Sequence, residues 1–491
     1  MYVTNPLQEW IARLDRRTYA ILIGFAIGAA GGLVGLMLAL GGPIITFGVL
    51  LGLFAGLYVL TNINAALYGI IAVMALLPFA TFPFKIGFTP TFMDAAMGAF
   101  LAVYLVQWMT GRRHSIRLTP VHLLVALYIG WLIFCFVLGV RYARPTSANL
   151  RQFAETILSI GMVFILVDLL RDSVALRRLV LVVMMAVGVQ AIVAIVLWVM
   201  PDDVAERTLV RLARIGYPDG GVIRYIEDNP DDTERAIGTW VDPNALAGFL
   251  AVTAALIAPQ VFARNPVLRT RQIAWGVLGI VGVALVLTSS RASMLAFAVG
   301  LLFIGLFKGY RRFLVLLLLG VLLVLLLPQT RGLVERFVEA FTAQDLSTQM
   351  RLGEYGDSLE LISRYPIAGV GFTGTPEIGL YTEVASTYLI MANHIGLVGV
   401  GLFALLMIGV FAYGARAWRF VKHDPQLRSI FLGCHAALIA LLLNAIADHY
   451  YFRLDFHASI TLLWLVVALA LSCSRLALER ELTVANPPSI M

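Results

Sequence analysis

The sequence predicts an all-α fold, a polytopic bundle of membrane helices. Three observations carry this. Hydrophobic residues make up 60% of the 491 and charged residues only 13%, with a mean hydropathy of +0.88, whereas a soluble domain is about 25% charged. The charge sits in short breaks between apolar runs. The runs themselves approach the roughly 20 residues that a spanning helix needs.

In chain order the apolar runs are 19–40, 44–60, 65–81, 93–109, 120–140, 152–170, 179–200, 242–263, 272–288, 292–307, 313–327, 386–413, 429–447 and 459–471. Fourteen spans are read, within a range of eleven to fourteen, because 292–307, 313–327 and 459–471 are short. The chain reads as one integral membrane domain over 1–491. Residues 1–18 with the first run read as an uncleaved signal anchor, too long for a signal-peptide core and followed by no A-x-A site.

Lysine and arginine gather in alternate breaks: Arg13, Arg16 and Arg17; Arg112, Arg113 and Arg117; Arg171, Arg177 and Arg178; Arg264, Arg269 and Arg271; Lys308, Arg311 and Arg312; Arg416, Arg419, Lys422 and Arg428. The positive-inside rule then puts both termini in the cytoplasm. The net charge of +7 is thus a topology signal and a contact for membrane lipids, not a nucleic-acid patch. The three cysteines, Cys135, Cys434 and Cys473, lie within or at the end of apolar runs and read as packing residues.

Two outer segments are long, 201–241 and 328–385, and loops of that length are usually functional. In the second, Leu333, Val334, Phe337, Val338 and Phe341 predict a short amphipathic helix over 332–342. Leu352, Tyr355, Leu359 and Ile362 mark the apolar stripe of a second helix that ends before Pro366, with Arg351, Glu354, Asp357, Glu360 and Arg364 on its other face. Such a stripe lies on the membrane surface or on the bundle. Residues 481–491 read as a loose cytoplasmic tail.

Gly369-Val370-Gly371-Phe372-Thr373-Gly374 fits G-x-G-x-x-G, but it follows a helix and Pro366 rather than a buried strand. It therefore reads as a flexible turn, able at most to offer its N–H groups to an anion. The seven histidines form no metal-ligand spacing, so neither metal nor cofactor is implied. Ionisable residues inside the runs are few, mainly Glu155 and Asp168, and no broken helices in matching halves are visible. Both points weigh against an ion-coupled transporter. The outer segments instead carry arginines close to the spans, among them Arg141, Arg144, Arg151, Arg235, Arg291 and Arg453. Arg291 stands in a Ser289-Ser290-Arg291 turn with almost no loop to solvate it. Snorkelling to headgroups accounts for any one of them; a cluster suits a diphosphate, which guanidinium chelates through paired N–H groups.

Several stretches resemble the O-antigen ligase and O-antigen polymerase superfamily. Arg235-Ala236-Ile237-Gly238-Thr239-Trp240-Val241-Asp242-Pro243-Asn244 resembles its R-x-x-G-T-F-x-x-P-N entry to a span. Thr288-Ser289-Ser290-Arg291-Ala292-Ser293 resembles its S-R-G/A turn. Arg351 through Pro366-Ile367-Ala368-Gly369-Val370-Gly371 resembles the helix before its P-x-x-G-x-G. Tyr388-Leu389 with Gly396-Leu397-Val398-Gly399 resembles its Y-L…G-[IL]-x-G span. The resemblance covers roughly 235–471. It implies a metal-independent, inverting glycosyltransferase of the bacterial inner membrane, acting on its outer face. The donor would be a glycan on undecaprenyl diphosphate, a lipid-linked oligosaccharide, and the acceptor a glycan or a lipid. It also implies that Arg235 and Arg291 bind the donor diphosphate, with Arg351, Asn244 and Tyr388 in the substrate site.

The sequence departs from the family in one place. The His-Asn that usually precedes Y-L is replaced by Glu383-Val384-Ala385-Ser386-Thr387. A base must still reach the acceptor hydroxyl. Glu383, His394, Asp448 and His449 qualify, and Glu383 is the choice. The alternatives are a transporter or flippase of a polyprenyl-linked glycan, and a non-catalytic scaffold.

Overall fold

The computed structural model describes residues 15–326, 346–375, 379–380 and 383–485. The signal-anchor residues before 15, the helix expected over 332–342 and the end of the tail lie outside the described residues. Contacts divide the chain into two compact units, Met1–Ala66 and Leu67–Met491.

The first unit holds α1 (Arg16–Thr61), capped by Asp15 and interrupted at Gly42 (φ 74°, ψ 174°), next to Pro43. Its Ile21 and Phe25 are exposed, as befits a helix whose solvent is lipid.

In the second unit, after α2 (Ile63–Leu76), come α3 (Phe92–Met109), α4 (His122–Gly139), α5 (Ser147–Leu169), α6 (Ser173–Val199) and a short α7 (Asp202–Val210). An antiparallel hairpin follows, β1 (Arg224–Tyr225) with β2 (Glu234–Arg235). Next are α8 (Pro243–Ile257), α9 (Arg271–Leu287), α10 (Arg291–Gly305), α11 (Arg312–Leu326), α12 (Leu346–Arg364), α13 (Thr387–Val421), α14 (Arg428–Ala447) and α15 (His457–Ala485). Each apolar run of the sequence falls on one of these helices. Among the described residues, nine helices are long and apolar enough to cross a membrane, and α2, α9, α10 and α11 are shorter apolar helices. A total of fourteen spans therefore rests on the short ones. The helix α15 also carries on through the start of the expected tail to Ala485.

At the centre stand α8, α14 and α15, whose apolar windows are the most deeply buried. Small residues let them approach. A Cβ on Gly433 of α14 would lie 2.3 Å from the Leu256 carbonyl oxygen of α8, and one on Gly248 would lie 2.8 Å from Asn444 and Tyr451 side-chain oxygens. Close packing of this kind replaces the hydrophobic drive that lipid removes. Charges within the spans are paired: Glu155 with Arg151, and Asp168 with Arg113 and Arg171.

Contrary to the sequence reading, one span is discontinuous. The helix α13 breaks at Gly396 (φ 66°, ψ 178°), and the G-x-G turn fills the notch. Val370 N–H donates to Asn393 O (2.8 Å), Gly371 N–H to His394 O (2.9 Å), and Leu397 N–H to Pro366 O (2.8 Å). Trp131 Nε1 takes the Ile395 carbonyl at 2.9 Å. The turn is locked rather than loose, with the N–H groups of Gly369, Val370 and Gly371 engaged within the protein. No proline marks the break, because it is imposed by a segment that docks from elsewhere in the chain. Gly396 is obligatory there, since a Cβ would sit 2.1 Å from Ile367 O.

Gly433→Ala should force α8 and α14 apart and lower stability by roughly 1–3 kcal/mol. A thermal unfolding midpoint in detergent equal to that of the parent protein would refute the contact.

Candidate active site

The hairpin delivers Arg235 to the end of α9. Its Nε donates to Thr288 O at 2.8 Å, a terminal nitrogen donates to Asn244 Oδ1, and the next residue, Ala236, donates its N–H to Leu287 O at 2.9 Å. Arg235 is thus fixed on the Ser-Arg turn that the sequence singles out. Beyond it, Gly238 (φ 53°) gives room to the Gln190 amide, which a Cβ would meet at 2.4 Å. Trp240 is fully buried and donates its Nε1–H to Ala75 O. Val241 then takes φ 63°, a left-handed conformation that costs a β-branched residue on the order of 1–3 kcal/mol. That turn sets Asp242 as the N-cap of α8, where its carboxylate accepts from the N–H groups of Asn244 and Ala245, both at 2.8 Å. The Tyr450 hydroxyl donates to the same oxygen at 3.1 Å.

The second stretch is the turn itself. Ser289 also has a positive φ, 55°, and α10 begins at the half-buried Arg291. From here a chain of hydrogen bonds runs inward. Ser290 Oγ donates to Ser293 Oγ (3.2 Å), and Asn444 Nδ2 donates to Ser293 Oγ (3.0 Å) and to Asp448 Oδ2 (2.9 Å). The Tyr451 hydroxyl donates to Asn444 Oδ1 at 2.9 Å. Asp448 in turn holds the start of α13, since its carbonyl accepts from both the N–H and the hydroxyl of Thr387.

Asp448 is only 2% exposed. Burial pushes its carboxyl up to about 6 and the Asp242 carboxylate adds to this, while Arg351, Arg235 and the Asn444 bond hold it down. The two guanidiniums therefore share one buried carboxylate. His449 is pushed down to about 3, first by burial and then by the positive charges of Arg453 and Arg351, so its imidazole is neutral at pH 7.

Arg351 reaches this place because α12 faces the bundle by a different side from the one its apolar stripe suggests. Ser358 and Leu361 are fully buried, whereas Leu352 and Leu359 are exposed. Ser358 Oγ donates to Asn393 Oδ1 (2.9 Å), the Glu354 carboxylate accepts from Ala385 N–H (3.1 Å), and the Tyr355 hydroxyl donates to Ala385 O (3.2 Å). Polar groups on α12 thus hold the stretch in which the family histidine is missing.

Glu383 stands on the far side of His449. Its carboxylate pairs with Arg453 Nε at 2.6 Å, and the same nitrogen lies 2.9 Å from Asp455. Arg453 also approaches His449 Nε2 at 3.3 Å. Glu383 lines an open cavity of about 290 Å³ with Asn149, Gln152, Phe372, His394 and Arg453. The hydroxyl of Tyr388 is engaged by the Leu442 carbonyl at 2.7 Å, which fastens α13 to α14. Of the candidates, then, Arg235 and Arg351 act on Asp448, Asn244 holds Arg235, Arg291 opens the helix that closes the network, Tyr388 acts as a fastener, and Glu383 belongs to the neighbouring cavity. Sequence reasoning misses Asn444, the hub of the network; its one available signal is a lone amide in Leu442-Leu443-Asn444-Ala445-Ile446.

Residues 276–402 match the family model described as O-antigen ligase. This stretch is similar to an O-antigen ligase domain. This supports membership of the O-antigen ligase and polymerase superfamily, and with the spans it makes the chain a multi-pass membrane protein of the kind found in the bacterial inner membrane. The matched stretch includes the Ser-Arg turn, Arg351, the G-x-G turn and Tyr388; Arg235 and Asn244 precede it and Asp448 follows it. None of the curated proteins matches the chain.

The folded-state carboxyl of Asp448 lies above its ordinary value of 3.8. Its ionisation therefore costs stability, fully above pH 6 and not at all below pH 3.8. Relative to Asp448→Asn, the parent protein should therefore lose on the order of 3 kcal/mol of stability between pH 4 and pH 8, a gain for the variant that grows as pH rises. Unfolding midpoints of both proteins across that range test it, and a gain that grows on acidification would contradict the assignment.

Proposed function

We propose that the protein transfers or polymerises glycans from undecaprenyl diphosphate on the outer face of the inner membrane, without a metal, with both termini in the cytoplasm. The observation that carries this reading is the meeting of Arg235, the Ser-Arg turn and Arg351 around one buried carboxylate. Separate regions of the chain supply these cations, and a lone snorkelling arginine needs no such convergence.

In the proposed step the C1–O bond to diphosphate breaks and the acceptor oxygen bonds to C1. Negative charge builds on the departing diphosphate, and fixed guanidiniums in a partly dry site stabilise that charge more than they stabilise the ground state. Arg235 and Arg291 hold the phosphates, Asn244 aims Arg235, Arg351 completes the cluster, and Tyr388 keeps α13 on α14. The acceptor enters the cavity beside Glu383, whose carboxylate takes the hydroxyl proton. Glu383 is preferred over Asp448 because it opens onto a cavity, whereas Asp448 is sealed in the network.

With reconstituted protein and a polyprenyl-diphosphate glycan, release of lipid diphosphate should fall about 10²–10³-fold in Arg235→Ala and in Arg291→Ala. Undiminished release in either would remove the leaving-group assignment. Glu383→Ala should slow transfer about 10²–10⁴-fold with donor binding unchanged. Full transfer in that variant would reject the choice of base and leave the donor site standing.

A further inference from the structure

A second concentration of positive charge lies at the other end of the same helices. The helix α9 spans 17 residues, about 25 Å at 1.5 Å per residue. Its Leu287 end meets Arg235, and its Arg271 end opens onto one of two adjoining cavities. One, of about 400 Å³, is lined by Arg264, Arg271, Arg311 and Arg312 with Phe262 and Gly309. The other, of about 390 Å³, shares Phe262, Arg264 and Gly309 and adds Lys308, Lys422 and Arg428.

No carboxylate lines either cavity, and among the described residues none pairs with these cations. They are held by neutral groups instead. Arg271 Nε donates to Ala263 O at 2.6 Å and Arg428 donates to Lys308 O. The Arg312 guanidinium lies 5.6 Å from the Phe262 ring centre, and Arg428 lies 5.6 Å from that of Tyr310. The nearest acid in sequence, Asp424, is committed to Arg480 and to the N–H groups of Gln426 and Leu427. Among the described residues, the cavities thus gather cations without a counter-charge. Beside them Leu306 is 66% exposed, as are Val315 and Leu316 to a lesser degree, so an apolar wall adjoins the basic pair.

We propose that these two cavities bind the phosphate groups of an anionic ligand, with a membrane lipid as the source: its phosphates enter the basic pair while its chains lie along Leu306, Val315 and Leu316. Guanidinium over an aromatic ring stays free to turn its N–H fork toward phosphate, and basic pockets between membrane helices suit anionic headgroups. A lipid with two phosphates fits two adjoining cavities better than one with a single phosphate. This proposal is independent of the reading of the active site.

The full chain, purified in detergent, would be titrated with cardiolipin, phosphatidylglycerol, phosphatidylcholine and inorganic pyrophosphate, with bound ligand followed by native mass spectrometry. Cardiolipin should bind more tightly than phosphatidylglycerol, and phosphatidylcholine should not saturate. Arg264→Gln and Arg312→Gln should each weaken cardiolipin about fivefold, while Arg264→Lys and Arg312→Lys retain most of the binding and Arg178→Gln, at a nearby helix start, leaves it intact. Pyrophosphate binding that is equally sensitive to the two glutamine variants, without lipid binding, would uphold the phosphate site and assign it to a soluble anion. Equal affinity for all the lipids, or cardiolipin binding unaffected by both glutamine variants, would overturn the proposal.

Discussion

Two guanidiniums cannot stand together in a partly dry pocket unless something offsets their repulsion, and here Asp448 does so. It is buried, it feels both Arg235 and Arg351, and its two ends do different work. The carboxylate gathers the cations and the Asn444 amide, while the carbonyl fixes the first residue of α13. The hydrogen bonds from Ser290 through Ser293 and Asn444 tie the start of α10 to the same point. Four stretches far apart in the chain are therefore held in one place by the need to satisfy one buried charge. A burial this costly persists only when the surroundings supply the partners.

The same rule governs the backbone. Lipid offers no hydrogen bonds, so a broken span survives only where protein groups take over the freed carbonyls. At Gly396 the turn 366–371 and Trp131 do so. The break thereby links α12, which ends at Arg364, to α13, which begins at Thr387. Arg351 lies on the first of these helices and the stretch that lacks the family histidine leads into the second. The G-x-G turn serves the site by fixing the relation between them, and three positive-φ glycines, Gly369, Gly371 and Gly396, make that close approach possible.

What the sequence reveals follows from which forces act locally. Apolar runs mark the helices because burial in lipid is a property of the run alone. The Ser-Arg turn is legible because two spans with almost no loop between them leave one geometry. The placing of α12 is not legible: its apolar residues suggest one buried face, yet Ser358, Glu354 and Tyr355 find polar partners on α13 and its approach and turn the helix the other way. The pairing of Glu383 with Arg453 and the hub at Asn444 likewise depend on residues brought together from distant segments. No periodicity encodes such meetings.

In the proposed reaction the loop between α14 and α15 would keep donor and acceptor apart. It starts at Asp448, in the arginine cluster, and within five residues reaches Arg453, the partner of Glu383. His449 lies between the two in sequence and is neutral at pH 7, first because it is buried and then because Arg453 and Arg351 disfavour its charge. A protonated imidazole there would add a third cation beside Arg453 and Arg351. With it neutral, Glu383 keeps Arg453 as its partner. An incoming diphosphate would bring negative charge to the guanidiniums that now steady Asp448, and would favour the protonated form of that carboxyl. In the proposed reaction the buried acid would then yield the cations to the donor by taking a proton, so the cluster would not hold two competing sets of anions at once.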